Sequence, residues 1–369
     1  AEHDRVSEMR RDSTDSIQNA IANHELQLLY QPKVNMRTGA IVGVEALIRW
    51  HHPQRGELDP GKFLPMVDFV GLHGQVGEWV LETALTQAEA WVAEGRKLGM
   101  GINIAAEQLQ SEGFAATLGA ALARHPTVPP ASLEFEILET AALKDLEKVA
   151  AVMADCQALG VGFAIDDFGT GYSSLTYLKQ LQAGTLKIDQ SFVHDMLNDP
   201  DDLSIVDSII GLAAAFRRNV VAEGVETVAH GTLLLRLGCD LAQGYGIARP
   251  MPAAELAAWI DAWSPPEAWR QVALWPREDL PLLTVEIDHL RWIDLLRRSV
   301  AAAPGEQPPT PPLDPHDCRF GHWLNSVGRQ RYGHYPSFDK LVRAHEDVHR
   351  AGREIEAIYA SLPEVDRYL

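Results

Sequence analysis

The chain has 369 residues, 46% hydrophobic and 22% charged, with a formal net charge of -19. That length accommodates two domains and a large core, and the acidic balance argues against DNA, RNA or an anionic membrane surface as a general partner. Its three cysteines, Cys156, Cys239 and Cys318, are too few for a disulfide framework and suit a reducing, cytoplasmic compartment. No apolar run reaches the roughly 18 residues of a spanning helix, and the polar, charged N-terminus is not a signal peptide. The chain opens on Ala rather than Met, so processing, or a longer parent with an upstream sensor or cyclase domain, is the expectation.

Residues 1–15, an N-terminal extension, are charged and lack a clear core pattern, as in a solvated helix running from something upstream, and a short helix follows over Ser16–Asn23. From Leu26 to about residue 260, β-branched strands alternate with Ala- and Leu-rich helical segments. The predicted strands are Leu26–Val34, Ile41–Ile48, Met100–Ile104, Leu133–Ile137, Val161–Ile165, Thr185–Ile188, Asn219–Ala222 and Asp240–Ala242. The intervening helices include Val76–Glu94, Ala115–Arg124, Lys144–Leu159, Ser204–Phe216 and Thr227–Leu237. Such alternation predicts an α/β fold with a parallel sheet, and about eight strands in roughly 250 residues fits a TIM-like (β/α)8 barrel. Only a short turn around Arg37-Thr38-Gly39 separates the first two strands, so they form an antiparallel hairpin.

With the strands placed, the polar residues acquire positions. Glu45 lies in the second strand, while Asn103, Glu136, Asp166, Lys187, Glu223 and Gln243 sit at or just past strand C-terminal ends. That end carries the active site in α/β barrels. Any one of these acids alone reads as a cap or a salt-bridge partner. Together, with Asp167 beside Asp166, they make a mouth suited to a divalent cation, since adjacent carboxylates repel and hard cations prefer their oxygens.

These residues also carry a resemblance. Glu45-Ala46-Leu47-Ile48-Arg49-Trp50 resembles the signature of EAL-domain cyclic di-GMP phosphodiesterases, and the other motifs of that family follow in order. They are Tyr30-Gln31-Pro32-Lys33, the Asp166–Ser174 loop, Leu186-Lys187-Ile188-Asp189, Ala222-Glu223-Gly224-Val225-Glu226-Thr227 and Gln243-Gly244-Tyr245. The resemblance covers about 16–263 and implies hydrolysis of cyclic di-GMP to linear pGpG. Phosphodiester hydrolysis needs an activated water and a screen for phosphate charge, which two divalent ions about 3.5–4 Å apart supply.

By that similarity, Glu45, Asn103, Glu136 and Asp166 hold one Mg²⁺ or Mn²⁺, Asp166 and Asp167 a second, and Glu223 completes the set or orients the water. Lys187 positions and helps activate the water, and an acid-rich pocket keeps it protonated. Gln31, Arg49 and Gln243 contact the ligand or fix its pocket; the planar fork of Arg49 suits a phosphate. Glu139 and Glu226 support the site, Glu139 by holding the 168–174 loop, which in relatives couples metal binding to homodimer contacts. Leu138 and Ala105 stand where the family often has Thr and Ser, which weakens support for the neighbouring ligands. The rival from another class is a binding module that captures cyclic di-GMP without cleaving it; a weaker rival is an unrelated two-metal hydrolase.

After Trp263 the composition changes. Ser264-Pro265-Pro266 stops the last barrel helix, and 264–281 reads as a linker. Helical spacing returns over Leu282–Val300, Asp317–Val327 and Ser337–Tyr359, interrupted by a Pro-rich connection, Pro304–Pro315. The expectation for 282–369 is a small all-α four-helix bundle. His345 and His349 are four apart and share a helix face. Three readings compete for them: a pair on a solvated face, a zincin-like His-Glu-x-x-His, which needs an open zinc position and a third downstream ligand from the 20 residues after His349, and a closed zinc site. The last follows from a resemblance: Cys318-Arg319-Phe320-Gly321-His322-Trp323-Leu324, with His289 before it and the His345–His349 pair after it, is similar to the chemoreceptor zinc-binding (CZB) domain. That family implies Zn²⁺ held by His289, Cys318, His345 and His349, with His316 and His322 as nearby alternatives. Such a site is structural or regulatory, and its thiolate is open to oxidation.

Overall fold

The computed structural model describes residues 2–111, 113–142, 145–171, 175–301 and 310–361. Two compact units emerge, one of 1–197 with 201–273 and one of 274–369 with 198–200. Among the described residues no helix is long and apolar enough to cross a membrane.

The first unit holds β1 (Leu26–Asn35), β2 (Ile41–His52), β3 (Gly56–Leu58), β4 (Gly99–Asn103), β5 (Leu133–Leu138), β6 (Gly162–Phe168), β7 (Thr185–Ile188), β8 (Asn219–Ala222) and β9 (Leu241–Ala242). Pairing runs β1-β9-β8-β7-β6-β5-β4-β2 and closes between β1 and β2, an eight-strand barrel with β3 hung on β2 outside it. β1 is antiparallel to both β2 and β9, and every other barrel pairing is parallel. This is the TIM-like barrel with an antiparallel first strand that the alternation predicts. The strands are short and nearly continuous in apolar character because both faces are covered, inside by barrel side chains and outside by helices.

Three local differences have physical causes. The solvated helix and the short helix expected at the N-terminus are one continuous piece, Glu2–Ala22; Ile17 and Ala20 are buried and anchor its C-terminal half. β2 continues to His52, because β3 pairs with Trp50, His51 and His52 and extends the ladder. β6 does not stop at Ile165 but runs through Asp166 and Asp167 to Phe168, with a register shift against β7 between Ile165 and Phe168. Within the expected linker, a turn of helix at Glu267–Arg270 buries Trp269, whose Nε1 donates to the Val228 carbonyl at 2.9 Å.

The second unit contains helices Leu280–Val300, Arg319–Asn325, Val327–Tyr332 and Pro336–Ser361. The segment predicted as one helix over Asp317–Val327 breaks at Ser326, which leaves helical geometry at φ -124°, ψ -104°. Phe320, Trp323, Leu324 and Phe338 form its core. Beside them the buried Asp279 accepts from Trp323 Nε1 (3.3 Å) and Tyr332 OH (2.5 Å) and pairs with Arg331 (3.2 Å), so its charge is matched inside the bundle. Part of the Pro-rich connection, 304–309, lies outside the described residues.

Candidate functional site

The barrel's C-terminal mouth gathers residues from seven strands. Glu45 (β2), Asn103 (β4), Glu136 (β5), Asp166 and Asp167 (β6) and Lys187 (β7) are joined by Glu223 and Gln243, each one residue past its strand. Lys187 is the centre. Its Nζ lies 2.9 Å from Asp166 Oδ1, 2.6 Å from Glu223 Oε1 and 3.3 Å from Glu45 Oε2, and it also pairs with Glu136 Oε2. Asn103 donates to Glu45 Oε1 at 2.7 Å, while Gln243 donates to Glu45 Oε2 at 2.6 Å and to Glu223 Oε1 at 3.0 Å. Donor oxygens of Glu45, Glu136 and Asp166 lie within 4.8 Å of one another, as do those of Asp166, Asp167 and Glu223.

Adjacent strand residues ordinarily point to opposite faces, yet Asp166 and Asp167 both serve this mouth. Asp167 adopts φ 51°, the left-handed region, at the break in β6–β7 register. Asp tolerates that region better than most residues, and the bulge turns its carboxylate back toward Asp166 and Glu223.

Beneath the mouth the charges continue. Lys33 Nζ lies 3.0 Å from Glu136 Oε1 and 3.4 Å from Glu134 Oε2, and Thr185 Oγ1 donates to Glu134 Oε1 at 2.6 Å. Gly101 makes the space, since a Cβ there would fall 1.9 Å from Glu136 Oε1. Glu134 and Thr185 are not identified from the sequence, and Lys33 stands there only as the end of the Tyr30–Lys33 motif with no role: a lysine or glutamate in a strand carries no mark of its partner a hundred residues away.

The electrostatics follow from burial. Desolvation opposes the charge on Glu136, but Lys187 and Lys33 overcome it and hold its pKa down to about 2. Burial also opposes the charge on Lys187, yet its ring of carboxylates lifts its pKa well above the ordinary value, so it is a fixed ammonium. Burial, with added like-charge repulsion, raises Glu45 and Glu223 despite Lys187. Asp167 rises to about 7 through burial, then Asp166 and Asp189. One ammonium at the mouth therefore does not balance Glu45, Glu136, Asp166, Asp167 and Glu223, and the buried Gln243 Oε1 has no hydrogen-bond partner. Uncompensated carboxylate oxygens and an idle amide oxygen are the donor set a hard divalent cation takes.

A cleft of ≈ 180 Å³ opens beside this cluster, lined by Gln31, Glu45, Arg49, Glu223, Glu226 and Gln243 among others. Gln31 is fixed by donation to the Ala248 carbonyl at 3.0 Å, and Arg49 Nε lies 3.4 Å from Asp59. Gln190, which the sequence does not mark, also lines the cleft. Glu139 is buried and accepts from the Gly169 amide at 2.8 Å, at the start of the loop it was expected to hold. Tyr172, Ser173 and Ser174 of that loop lie outside the described residues. Leu138 is exposed, and Ala105 precedes the short helix Ala106–Leu109.

In the C-terminal unit, donor atoms of His289, Cys318, His345 and His349 all lie within 4.8 Å of one another. Cys318 Sγ is 3.1 Å from His345 Nε2, and His289 Nδ1 is turned to the Val285 carbonyl at 2.6 Å, which leaves its Nε2 for the cluster. His349 is fully buried and neither ring nitrogen makes a hydrogen bond; the carbonyls of Leu313 and Pro312 approach without bonding geometry. Burial, then His349 and His289, push His345 down to about 4, so it is neutral at pH 7. Neutral imidazoles with orphaned nitrogens beside a thiol fit a zinc ion. His322 is exposed, and His316 Nδ1 meets Asn325 Nδ2 at 2.8 Å; neither joins the four.

A closed α/β barrel with a carboxylate-and-lysine cluster at its C-terminal mouth, followed by a helical bundle with a His/Cys cluster, defines a two-unit chain of the TIM-barrel class. The chain belongs to the EAL domain family, which matches residues 14–250, and it carries a chemoreceptor zinc-binding domain over 289–356. It is 43% identical over 245 residues to the bifunctional diguanylate cyclase/cyclic di-GMP phosphodiesterase MucR of Pseudomonas aeruginosa, which covers 66% of this chain and 36% of that protein. A second cyclic di-GMP phosphodiesterase of the same organism is 39% identical over 246 residues, 66% of this chain and 42% of its own length. The chain thus spans well under half the length of these curated relatives. Among solved structures, a MucR phosphodiesterase in complex with c-di-GMP is 42% identical, with a TM-score of 0.64 over 66% of this chain and 99% of that one. The FimX EAL domain of Pseudomonas aeruginosa bound to c-di-GMP is 27% identical, with a TM-score of 0.60 over 65% and 96%.

Proposed function

We propose that this chain is a cyclic di-GMP phosphodiesterase that hydrolyses its substrate to linear pGpG at the barrel mouth. The observation that carries the reading is the complete carboxylate set around Lys187, in a chain related to proteins named for that activity. Two Mg²⁺ or Mn²⁺ ions, held by Glu45, Asn103, Glu136, Asp166, Asp167 and Glu223, would supply water activation and phosphate charge screening.

The chain's own residues do the rest. Asn103 and Gln243 hold both oxygens of Glu45 in place. Arg49, at the cleft wall, takes a phosphate oxygen of the substrate, and Gln31 and Gln243 shape the pocket. Lys187, permanently protonated, orients the attacking water and stabilises the charge that grows on phosphorus oxygens; it is not the base. Glu223, its Oε1 2.6 Å from Lys187 Nζ, orients the attacking water and takes up the proton it gives up. Water oxygen bonds to phosphorus, one bridging P–O bond breaks, and its oxygen takes a proton from solvent as it leaves, which opens the ring to pGpG.

The C-terminal cluster binds Zn²⁺ in this reading and regulates the barrel. A homodimer and a reducing, cytoplasmic setting complete it. The test is turnover of cyclic di-GMP with Mg²⁺ or Mn²⁺ and again with chelator, product followed by chromatography and ligand binding by calorimetry. Metal-dependent pGpG supports the reading; tight binding without product replaces it with a receptor.

A further inference from the structure

The loop that follows β8 carries Glu223 into the barrel mouth and Glu226 to the wall of the cleft. Its backbone is tied at three amides. Glu223 donates to the Ile188 carbonyl at 3.2 Å and Val225 to the Gln243 carbonyl at 3.1 Å. Glu226 donates to a side chain instead, Nδ1 of His230, at 3.3 Å. His230 sits in the first turn of the helix Val228–Leu237, which Thr227 caps: the Thr227 hydroxyl accepts from the His230 amide at 3.2 Å. The two bonds make a reciprocal box across the helix start. At that third helical position a capping box ordinarily uses Glu or Gln, whose acceptor oxygen does not change near neutral pH. An imidazole does change there.

The ring is 4% exposed and has little room for another arrangement. Nδ1 offers its lone pair to the Glu226 N–H, which places the proton of the neutral ring on Nε2. From the helix Gln190–Asp195 the His194 carbonyl also approaches the ring. The titratable groups that face His230 are His194, with ring centroids 6.4 Å apart, and Glu226. His194 in turn has Glu226 Oε2 at 3.5 Å and Asp195 Oδ1 at 3.9 Å. Burial and then His194 outweigh Glu226 and hold the His230 pKa below the ordinary value of 6.5. A positive charge in the first turn of a helix would also oppose its dipole. The loop itself has no slack. A Cβ on Gly244 would fall 2.2 Å from the Val225 nitrogen, and one on Gly246 2.4 Å from the Glu226 carbonyl oxygen. A displaced Glu226 amide therefore disturbs Val225 and Gln243, and Gln243 holds Glu223 Oε1 at 3.0 Å.

We propose that His230 is a positioning residue for the barrel mouth: its neutral imidazole, with the proton on Nε2, accepts the Glu226 amide and so fixes the loop that presents Glu223. Protonation of Nδ1 sets an N–H against an N–H, releases the amide, and loosens the placement of Glu223. The effect on turnover rests on the phosphodiesterase reading above; the bond itself does not.

Nitrogen NMR of the histidine-labelled full chain, free of metal, reads the tautomer. The proton is expected on Nε2 at pH 7.5, and a proton on Nδ1 overturns the proposal. His230→Asn, whose Oδ1 replaces Nδ1 without titrating, should keep the hydrogen-exchange protection of the Glu226 amide and wild-type kcat/KM at pH 7.5. His230→Leu should lose that protection, with about 10-fold lower kcat/KM and Mn²⁺ affinity by calorimetry. Wild-type protection and cation affinity in His230→Leu overturn the proposal. Between pH 7.5 and 5 the wild type should lose Glu226 protection and Mn²⁺ affinity relative to His230→Asn, in a step below 6.5. A merely structural histidine leaves the two pH profiles parallel, and that result also overturns the proposal. Where His230→Leu does not fold, the tautomer and the profile comparison decide. Absence of turnover in the wild type overturns the phosphodiesterase reading alone, since exchange and Mn²⁺ titration still decide on His230.

Discussion

Lys33 grips Glu136 from beneath the barrel mouth, its Nζ 3.0 Å from Oε1, while the other oxygen of that carboxylate turns up to Lys187. Both partners are buried, and Glu134, itself held by the Thr185 hydroxyl, braces Lys33 in its turn. Glu136 is thereby kept ionised and aimed without help from solvent. Lys33→Met leaves the buried Glu136 and the half-buried Glu134 short of a cation. Breaking a buried pair from one side costs about 3–5 kcal/mol, and that loss is the expected outcome in urea unfolding of the barrel transition. A midpoint within error of wild type would show that the pair is unimportant to the fold.

Glu45→Gln is expected to abolish both hydrolysis and divalent cation uptake while the barrel stays folded. The substitution keeps the shape, and it removes an acid that burial already disfavours. Mn²⁺ titration by calorimetry separates the two effects, and wild-type cation affinity in this variant would remove Glu45 from the metal set.

The metal-free barrel is expected to lose stability as pH rises between about 4.5 and 7. Asp167 has its folded pKa raised from 3.8 to about 7. Over that window the unfolded chain has already released the proton that the folded state retains, so rising pH favours unfolding until the folded group also ionises. Glu136 acts oppositely, but with a folded pKa of about 2 its contribution is complete by pH 4.5. Melting temperatures in chelator at pH 5, 6 and 7.5 should fall for wild type relative to Asp167→Asn. Parallel curves would mean that Asp167 does not titrate there.

Cys318→Ala is expected to weaken zinc binding and lower the melting temperature of the C-terminal unit in zinc-containing buffer, with a smaller change in chelator. The three imidazoles keep some affinity, but the thiolate supplies the only anionic ligand of the four. Turnover of cyclic di-GMP by the two forms, with and without zinc, then checks the regulatory link. Identical turnover, ligand affinity and oligomeric state in all four samples would leave the zinc unit without a regulatory role.

Much of the barrel is legible in the chain because its cues are local. An apolar β-branched run, then an acid, amide or lysine, then an Ala- and Leu-rich helix recurs from Leu26 onward, and parallel connectivity puts every such polar residue on one rim. Glu136, Lys187 and Glu223 can be placed that way. The N-terminal boundary is not legible, since a charged stretch reads as solvated whether or not Ile17 and Ala20 anchor it from further along. Nor is the break at Ser326, which a helical spacing argument runs straight through.

By itself, then, the sequence determines which side chains reach the barrel's rim and which histidines share a helix face, because both follow from residue periods of two and 3.6. Only the tertiary structure decides what those side chains meet. The left-handed turn at Asp167 brings two consecutive carboxylates to one site, against the alternation of a strand. Lys33 finds Glu136 across 103 positions of sequence. Each depends on how a closed sheet sets its register over the whole chain, and register is a sum of long-range contacts that no local period records.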